Sequence, residues 1–340
     1  MKAIGTNVMS IHVHADSRNA RTRIAPVIRG PKLDLGALFA GTYATFSSTC
    51  RDVTEPGVAL VAIDEHTSGL AGLTVLRARP DAYAAAIVGR HDACDLFLGG
   101  NDSLPLRHLA LLLDPVLSWK PGRSEVNYRI LDLRSETGFA DEHGRALRGL
   151  RCDGAAVLRC AGHALYVLPL GDPTDWPESG SDAWACQPDR VYLDELPHPA
   201  RGTSTRVPNF RRDAGRTHIT AIRGPRETGA NLVTDGDIAG ALEVVGPHSH
   251  DTITVGHIAL RDGVLLGRYS RCDSARVDDE LVSRVHALLT HIGEDLLVID
   301  TASSNGTARP GDEPKRLHVI ADGTELELGS ATRVRWRWLS

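Results

Sequence analysis

The sequence predicts an all-β protein: two antiparallel β-sandwiches in tandem, joined by a linker rich in proline, glycine and aspartate. Three observations predict it. Short apolar runs recur at close intervals, several alternating apolar with polar residues, and Gly, Asp, Asn and Ser separate them. No segment keeps the 3.6-residue period of a long amphipathic helix. Islands of similarity recur in the same order in the two halves of the chain, the mark of an internal duplication.

At 340 residues the chain is long enough for two or three domains, and 42% hydrophobic with 24% charged residues is the composition of a globular protein with a real core. An N-terminal segment, residues 1–20, precedes the first repeat and lacks the apolar stretch of a secretory signal. The first half, 21–171 with its core at about 58–171, opens on "RTRIAPVIRGP". It continues through "GRHDACDLFLGGNDSLPLRHLALLL" from Gly89, "ILDLRSETG" from Ile130 and "LRCDGAAVLRC" from Leu150. The second half, 216–340 with its core at about 252–340, repeats these as "RTHITAIRGP", "GRYSRCDSARVDDELVSRVHALLT" from Gly267, "VIDTASSNG" from Val298 and "VIADGTELELG" from Val319. One gap is placed in the second pair, and it sets His108 opposite Val285 and Leu109 opposite His286. Residues 172–215 read as the linker, and Trp176, Trp184 and Tyr192 within it predict that parts lie against a domain.

The strands follow from pattern. "TITVGHIAL", "VLLGRY", "HALLTHI", "DLLVID" and "TELELG" are short, and "RVRWRWL" alternates so that Val334, Trp336 and Trp338 share one face. "GDIAGALEVV" and "GALFAGTYATF" could each hold at most a turn of helix.

Three clusters in the second half fall at strand–loop junctions: Gly267-Arg268, Ser283-Arg284-Val285-His286 and Ser303-Ser304-Asn305-Gly306-Thr307. A sandwich gathers the loops at one end. Arginine brings a planar fork of donors with a permanent charge, and Ser and Asn add hydroxyl and amide donors. No acidic group lies inside the set. Such a site suits a compact dianion such as a phosphorylated side chain. It holds no nucleophile–base pair, carboxylate pair or metal-ligand cluster, so it is expected to recognise and not to catalyse, with no cofactor and no metal.

This order, GR…SRxH…SSNG, resembles the forkhead-associated (FHA) domain, a phosphothreonine-binding β-sandwich, over roughly Thr252 to Ser340. The resemblance implies that Arg268 and Ser283 bind phosphate, that Ser304 adds a hydroxyl, that Arg284 flanks it, and that Asn305 holds the main chain of the bound peptide. Gly267, His286, Gly306 and Thr307 would shape the loops. The first half departs from the pattern. Arg90 matches Arg268, but Leu106 stands at Ser283, Arg107 at Arg284, Glu136 at Ser304, Thr137 at Asn305 and Phe139 at Thr307. A carboxylate facing a dianion repels it, so this copy is expected to keep the fold and to have lost the phosphate site.

The expected function is therefore a non-enzymatic phosphothreonine-dependent adaptor or scaffold in Ser/Thr kinase signalling. Its partner would be a Thr-phosphorylated protein, such as a Ser/Thr kinase or its substrate. The alternative is a structural interaction protein that keeps FHA folds and binds unphosphorylated partners. A remoter one is a metal-dependent hydrolase built on "HVHAD" (His12, His14, Asp16), but Ser17 stands where one such family needs a further histidine, and no companion ligands are visible. A net charge of −5 and one short basic run, "RVPNFRRDAGR", give no basis for nucleic-acid or anionic-membrane binding. No apolar run has the length of a membrane span. Six scattered cysteines without a CxxC pair fit a reducing, cytoplasmic setting.

Overall fold

The structure, a computed structural model, describes residues 34–116, 126–194, 216–223, 237–273, 277, 279–329 and 331–339. The "HVHAD" string, the "RTRIAPVIRGP" repeat and all but the last residue of "RVPNFRRDAGR" lie outside these residues.

The first sandwich runs through β1 (Gly57–Asp64), β2 (Leu70–Arg77), β3 (Ala84–Gly89), β4 (Leu96–Phe97), β5 (Leu109–Leu113), β6 (Tyr128–Asp132), β7 (Phe139–Asp141), β8 (Ala146–Leu147), β9 (Gly149–Cys152), β10 (Ala156–Cys160) and β11 (His163–Leu170). Before it lie two short helices, α1 (Leu35–Thr42) and α2 (Ser47–Arg51). After it come α3 (Gly180–Ala185), β12 (Asp189–Asp194) and β13 (Arg216–Ile222). The second sandwich comprises β14 (Ile238–Val245), β15 (His250–Gly256), helix α4 (His257–Asp262), β16 (Val264–Leu266), β17 (Ala287–Ile292), β18 (Asp295–Asp300), β19 (Thr307–Ala308), β20 (Leu317–Ile320), β21 (Glu325–Leu328) and β22 (Thr332–Trp338).

The duplication is plain in the topology. One sheet of the first half is ordered β2-β1-β11-β10-β7-β8, and its counterpart is β15-β14-β22-β21-β19. The other is ordered β12-β13-β9-β6-β5-β3-β4, and within it β9-β6-β5-β3 corresponds to β20-β18-β17-β16. Each sandwich fills the space between its sheets with alternate residues of both. Leu60, Leu111, Ile130 and Leu165 do so in the first half, and Leu242, Leu289, Val298 and Trp336 in the second. On β22, Val334 and Trp336 point inward as the alternation requires. Trp338 shares their face but sits at the strand end, exposed, with its ring against Trp336 and His291.

Three expectations are corrected. β13 belongs to the first half: Ile219 and Ala221 enter its core, and the strand pairs antiparallel with β9. The repeat had grouped it with the second half. The second core begins at β14, earlier than Thr252, because "DIAGALEVV" is a strand held between β15 and β22. And α1 is a full helix of eight residues, capped by Asp34, whose carboxylate accepts from the N–H groups of Gly36 and Ala37. It lies on the outer face of the first sheet. There Phe39, Tyr43, Phe46, Tyr166, Trp176 and Trp184 form one aromatic cluster, so the start of the linker lies down on the first sandwich.

The two sandwiches share a further core. Ile87, Cys94, Ala110 and Leu131 of the first pack with their counterparts Leu265, Cys272, Leu288 and Ile299 of the second. Each half thus buries the same face, the arrangement of an isologous dimer written in one chain. No helix among the described residues is long and apolar enough to cross a membrane.

Candidate functional site

β16 is followed by Gly267, where a Cβ would lie 2.4 Å from the carbonyl oxygen of Arg284. Only glycine allows this approach. The chain then runs beside the segment leading into β17: the N–H of Arg268 donates to Ser283 O at 3.2 Å and that of Tyr269 to Arg284 O at 3.0 Å. The loop leaving β18 closes from the other side. His286, fully buried, accepts from the Ser283 N–H at Nδ1 and donates from Nε2 to Gly306 O, both at 3.0 Å. The two bonds fix the neutral Nε2–H tautomer. Burial pushes its pKa down, against the opposing pull of Asp300. Histidine is thus the rivet between the two loops.

Asp300 builds the turn that follows β18. Its carboxylate accepts from the Ser303 N–H at 2.8 Å, the Ser303 hydroxyl at 2.5 Å and the buried Thr307 hydroxyl at 2.9 Å. Gly306, at φ +77°, takes the left-handed conformation that ends the turn. Ser304 and Asn305 are carried outward and exposed. The Ser304 N–H donates to Ser283 Oγ at 3.0 Å, which leaves the Ser283 hydroxyl hydrogen to be donated elsewhere. Asn305 Nδ2 donates to Leu281 O at 2.8 Å, and its Oδ1 has no partner among the described residues.

All five expected binding residues therefore stand on two loops bonded to each other. Arg268 and Arg284 are exposed, and neither guanidinium has a partner among the described residues. The result is a surface with two unpaired cations, a buried serine and an exposed serine, and no carboxylate of its own half bonded to them. It can hold a dianion by charge-assisted hydrogen bonds.

The first half repeats the frame with different residues on the loops. His108 N–H donates to Val88 O as His286 N–H does to Leu266 O, each at 2.8 Å, and Leu133 and Thr301 donate to the two histidine carbonyls alike. The expected gap, with its one-residue slip of the histidine, is thus corrected: His108 is the counterpart of His286. Arg107 then matches Val285, Leu106 matches Arg284, and Pro105 takes the place of Ser283. Proline has no N–H to offer, so His108 Nδ1 has no hydrogen-bond partner among the described residues. Burial pushes its pKa down to about 4. Arg90 is half-buried and folded back, donating from Nε to Leu104 O at 2.7 Å. Glu136, at the Ser304 position, is exposed and ion-paired with Arg271 of the second half. Cys94 and Cys272 are equivalent buried thiols, bonded to Leu106 O and Arg284 O.

Sequence reading missed Asp300 and its first-half twin Asp132, which accepts from the N–H and hydroxyl of Ser135. The signal was there: both halves carry Asp-x-x-Ser with glycine three residues on, the pattern of a side-chain-closed turn.

Residues 264–329 match the family model of the FHA domain. The second half of the chain contains an FHA domain. Three solved structures are similar. The Slr1951 protein from Synechocystis sp. is 23% identical over 31% of this chain and 99% of its own, with a TM-score of 0.27. FHA-1 of Mycobacterium tuberculosis Rv1747 is 26% identical over 30% of this chain and 99% of its own, with a TM-score of 0.25. The FhaA FHA domain complexed with the intracellular domain of Rv3910 is 25% identical over 29% of this chain and 100% of its own, with a TM-score of 0.25. No curated protein matches the sequence.

Proposed function

We propose that the protein is a cytoplasmic phosphothreonine-peptide-binding adaptor in Ser/Thr kinase signalling, and not an enzyme. In this reading the FHA domain takes the phosphate on Arg268, Ser283 and Ser304, with Arg284 beside it and Asn305 on the peptide main chain. Gly267, His286, Gly306 and Thr307 keep the loops in place. One observation carries the reading: Arg268 and Arg284 are unpaired and exposed on loops whose backbone is already bonded, beside a serine whose hydroxyl hydrogen is free. A phosphorylated threonine of a kinase or of its substrate is the partner this chemistry fits.

The test is a peptide array in which each sequence appears with threonine, phosphothreonine and phosphoserine. Binding confined to phosphothreonine peptides is the expected result. Equal binding of phosphorylated and plain threonine would replace this reading with that of a phosphorylation-independent scaffold.

A further inference from the structure

The first sandwich reaches both loops of the second half's site. Arg107, on the segment leading into β5, is 9% exposed and donates from Nε and Nη2 to the carbonyl of Ala302, at 3.0 and 2.5 Å. Ala302 has φ +63°, a left-handed conformation unfavourable to a residue with a Cβ, and it immediately precedes Ser303, Ser304 and Asn305. Arg134 approaches the other loop. Its Nη1 donates to Arg271 O at 2.5 Å, and its Nη2 pairs with Asp273. The side chains of that pair are 5% and 2% exposed, and Asp273 in turn accepts the Leu265 N–H at 2.9 Å. Arg134 thus pins the 271–273 end of the turn that follows Arg268 and Tyr269. Beside it, Glu136 pairs with Arg271.

We infer that Arg107 and Arg134 are positioning residues of the phosphopeptide site, so that the sandwich without a phosphate site fixes the spacing of the two loops that have one. The inference rests on the phosphothreonine reading above. Phosphate held by charge-assisted bonds needs its donors placed within about 0.5 Å, and the contacts from the first half add to the bonds that the two loops make to each other. Arg107 holds the strained residue behind Ser304, and Arg134 holds the turn beyond Arg268. Neither guanidinium faces the phosphate, since each is committed to an acceptor at the interface between halves.

The experiment uses the full chain and the tightest phosphothreonine peptide that it selects from a degenerate library. Affinity is measured at 10 °C, with circular dichroism and Tm for every variant. Arg107→Ala and Arg134→Lys are expected to weaken binding about tenfold or more while the secondary structure is kept. Lysine at 134 retains the charge but cannot bridge Arg271 O and Asp273 together. Arg107→Lys, which restores one donor to Ala302 O, is expected to recover part of the loss. Two controls sit at the same interface away from both loops: Tyr83→Phe removes its bond to Asp295, and Arg148→Ala its bond to Asp262. Both are expected to lower Tm with affinity unchanged. Wild-type affinity in Arg107→Ala and Arg134→Lys overturns the inference, as does an equal loss in the controls. A wild-type chain that selects no phosphothreonine peptide overturns the reading of the site, and this inference with it.

Discussion

In the proposed reading Arg268 has to be free to meet phosphate, and the N–H of Arg268 and of Tyr269 donate to carbonyls of the neighbouring segment while the guanidinium stays exposed. A hydrogen bond to a charged group contributes about 1.5–3 kcal/mol, roughly 10- to 100-fold in affinity. Arg268→Ala and Ser283→Ala should each weaken a phosphothreonine peptide by about that factor, measured by fluorescence anisotropy. Arg90→Ala should leave it unchanged, because that side chain is spent on Leu104 O. Silent Arg268→Ala with a large loss from Arg90→Ala would exchange the roles of the two halves. His108 allows a pH prediction. Its folded pKa, about 4, lies below the ordinary 6.5, so the unfolded chain binds the proton more tightly. The stability contributed by neutral His108 is present above about pH 6.5 and is lost as pH falls toward 4, by roughly 3 kcal/mol at the bottom of that window. Urea unfolding at pH 7 and pH 4.5 should show the loss, and His108→Leu should reduce it. An equally steep decline in the variant would assign it to other groups.

Among the elements, the turn between β18 and β19 carries the most chemistry for its length. Asp300→Ala would strand the Ser303 N–H, the Ser303 hydroxyl and the buried Thr307 hydroxyl. The expected cost is about 3 kcal/mol or more, with phosphopeptide binding lost as the turn opens. Denaturant unfolding and anisotropy would check both; undiminished binding would show that the turn holds without its carboxylate. The strands were legible because alternation and glycine spacing are local signals, and the three motif clusters because their loops meet at one end of a sandwich. What was not legible has physical causes. In "DIAGALEVV" the helix formers Ala, Leu and Glu are overridden by pairing on both sides, as strand context often does. In α1 the eight residues are too few to show a period, and an aromatic cluster from distant segments holds them. The register of His108 was misjudged because Leu106-Arg107 looks like Ser283-Arg284, whereas the ladder to β3 counts residues and not likeness.

For the whole molecule, the decisive fact is that the face shared by the halves is apolar in each. Leu265, Leu288, Leu297 and Ile299 of the second half would meet water if the first were absent, as would Ile87, Ala110, Leu112 and Leu131 of the first. Two sandwiches on a free linker would unfold separately. Two that share a core, with the buried Arg134–Asp273 pair across it, should unfold together. Calorimetry of the full chain should therefore give one transition whose calorimetric and van't Hoff enthalpies agree. Leu288→Asp places a charge in the middle of the shared face, where Leu288 is fully buried and faces apolar partners. An unpaired buried carboxylate costs several kcal/mol, enough to part the halves before either inner core melts. The variant should show two resolved transitions, and should bind phosphothreonine peptides more weakly, since Arg107 and Arg134 can no longer reach Ala302 and the 271–273 turn. Two transitions in the wild type, or one in Leu288→Asp with full affinity, would mean that the halves are neighbours without being coupled.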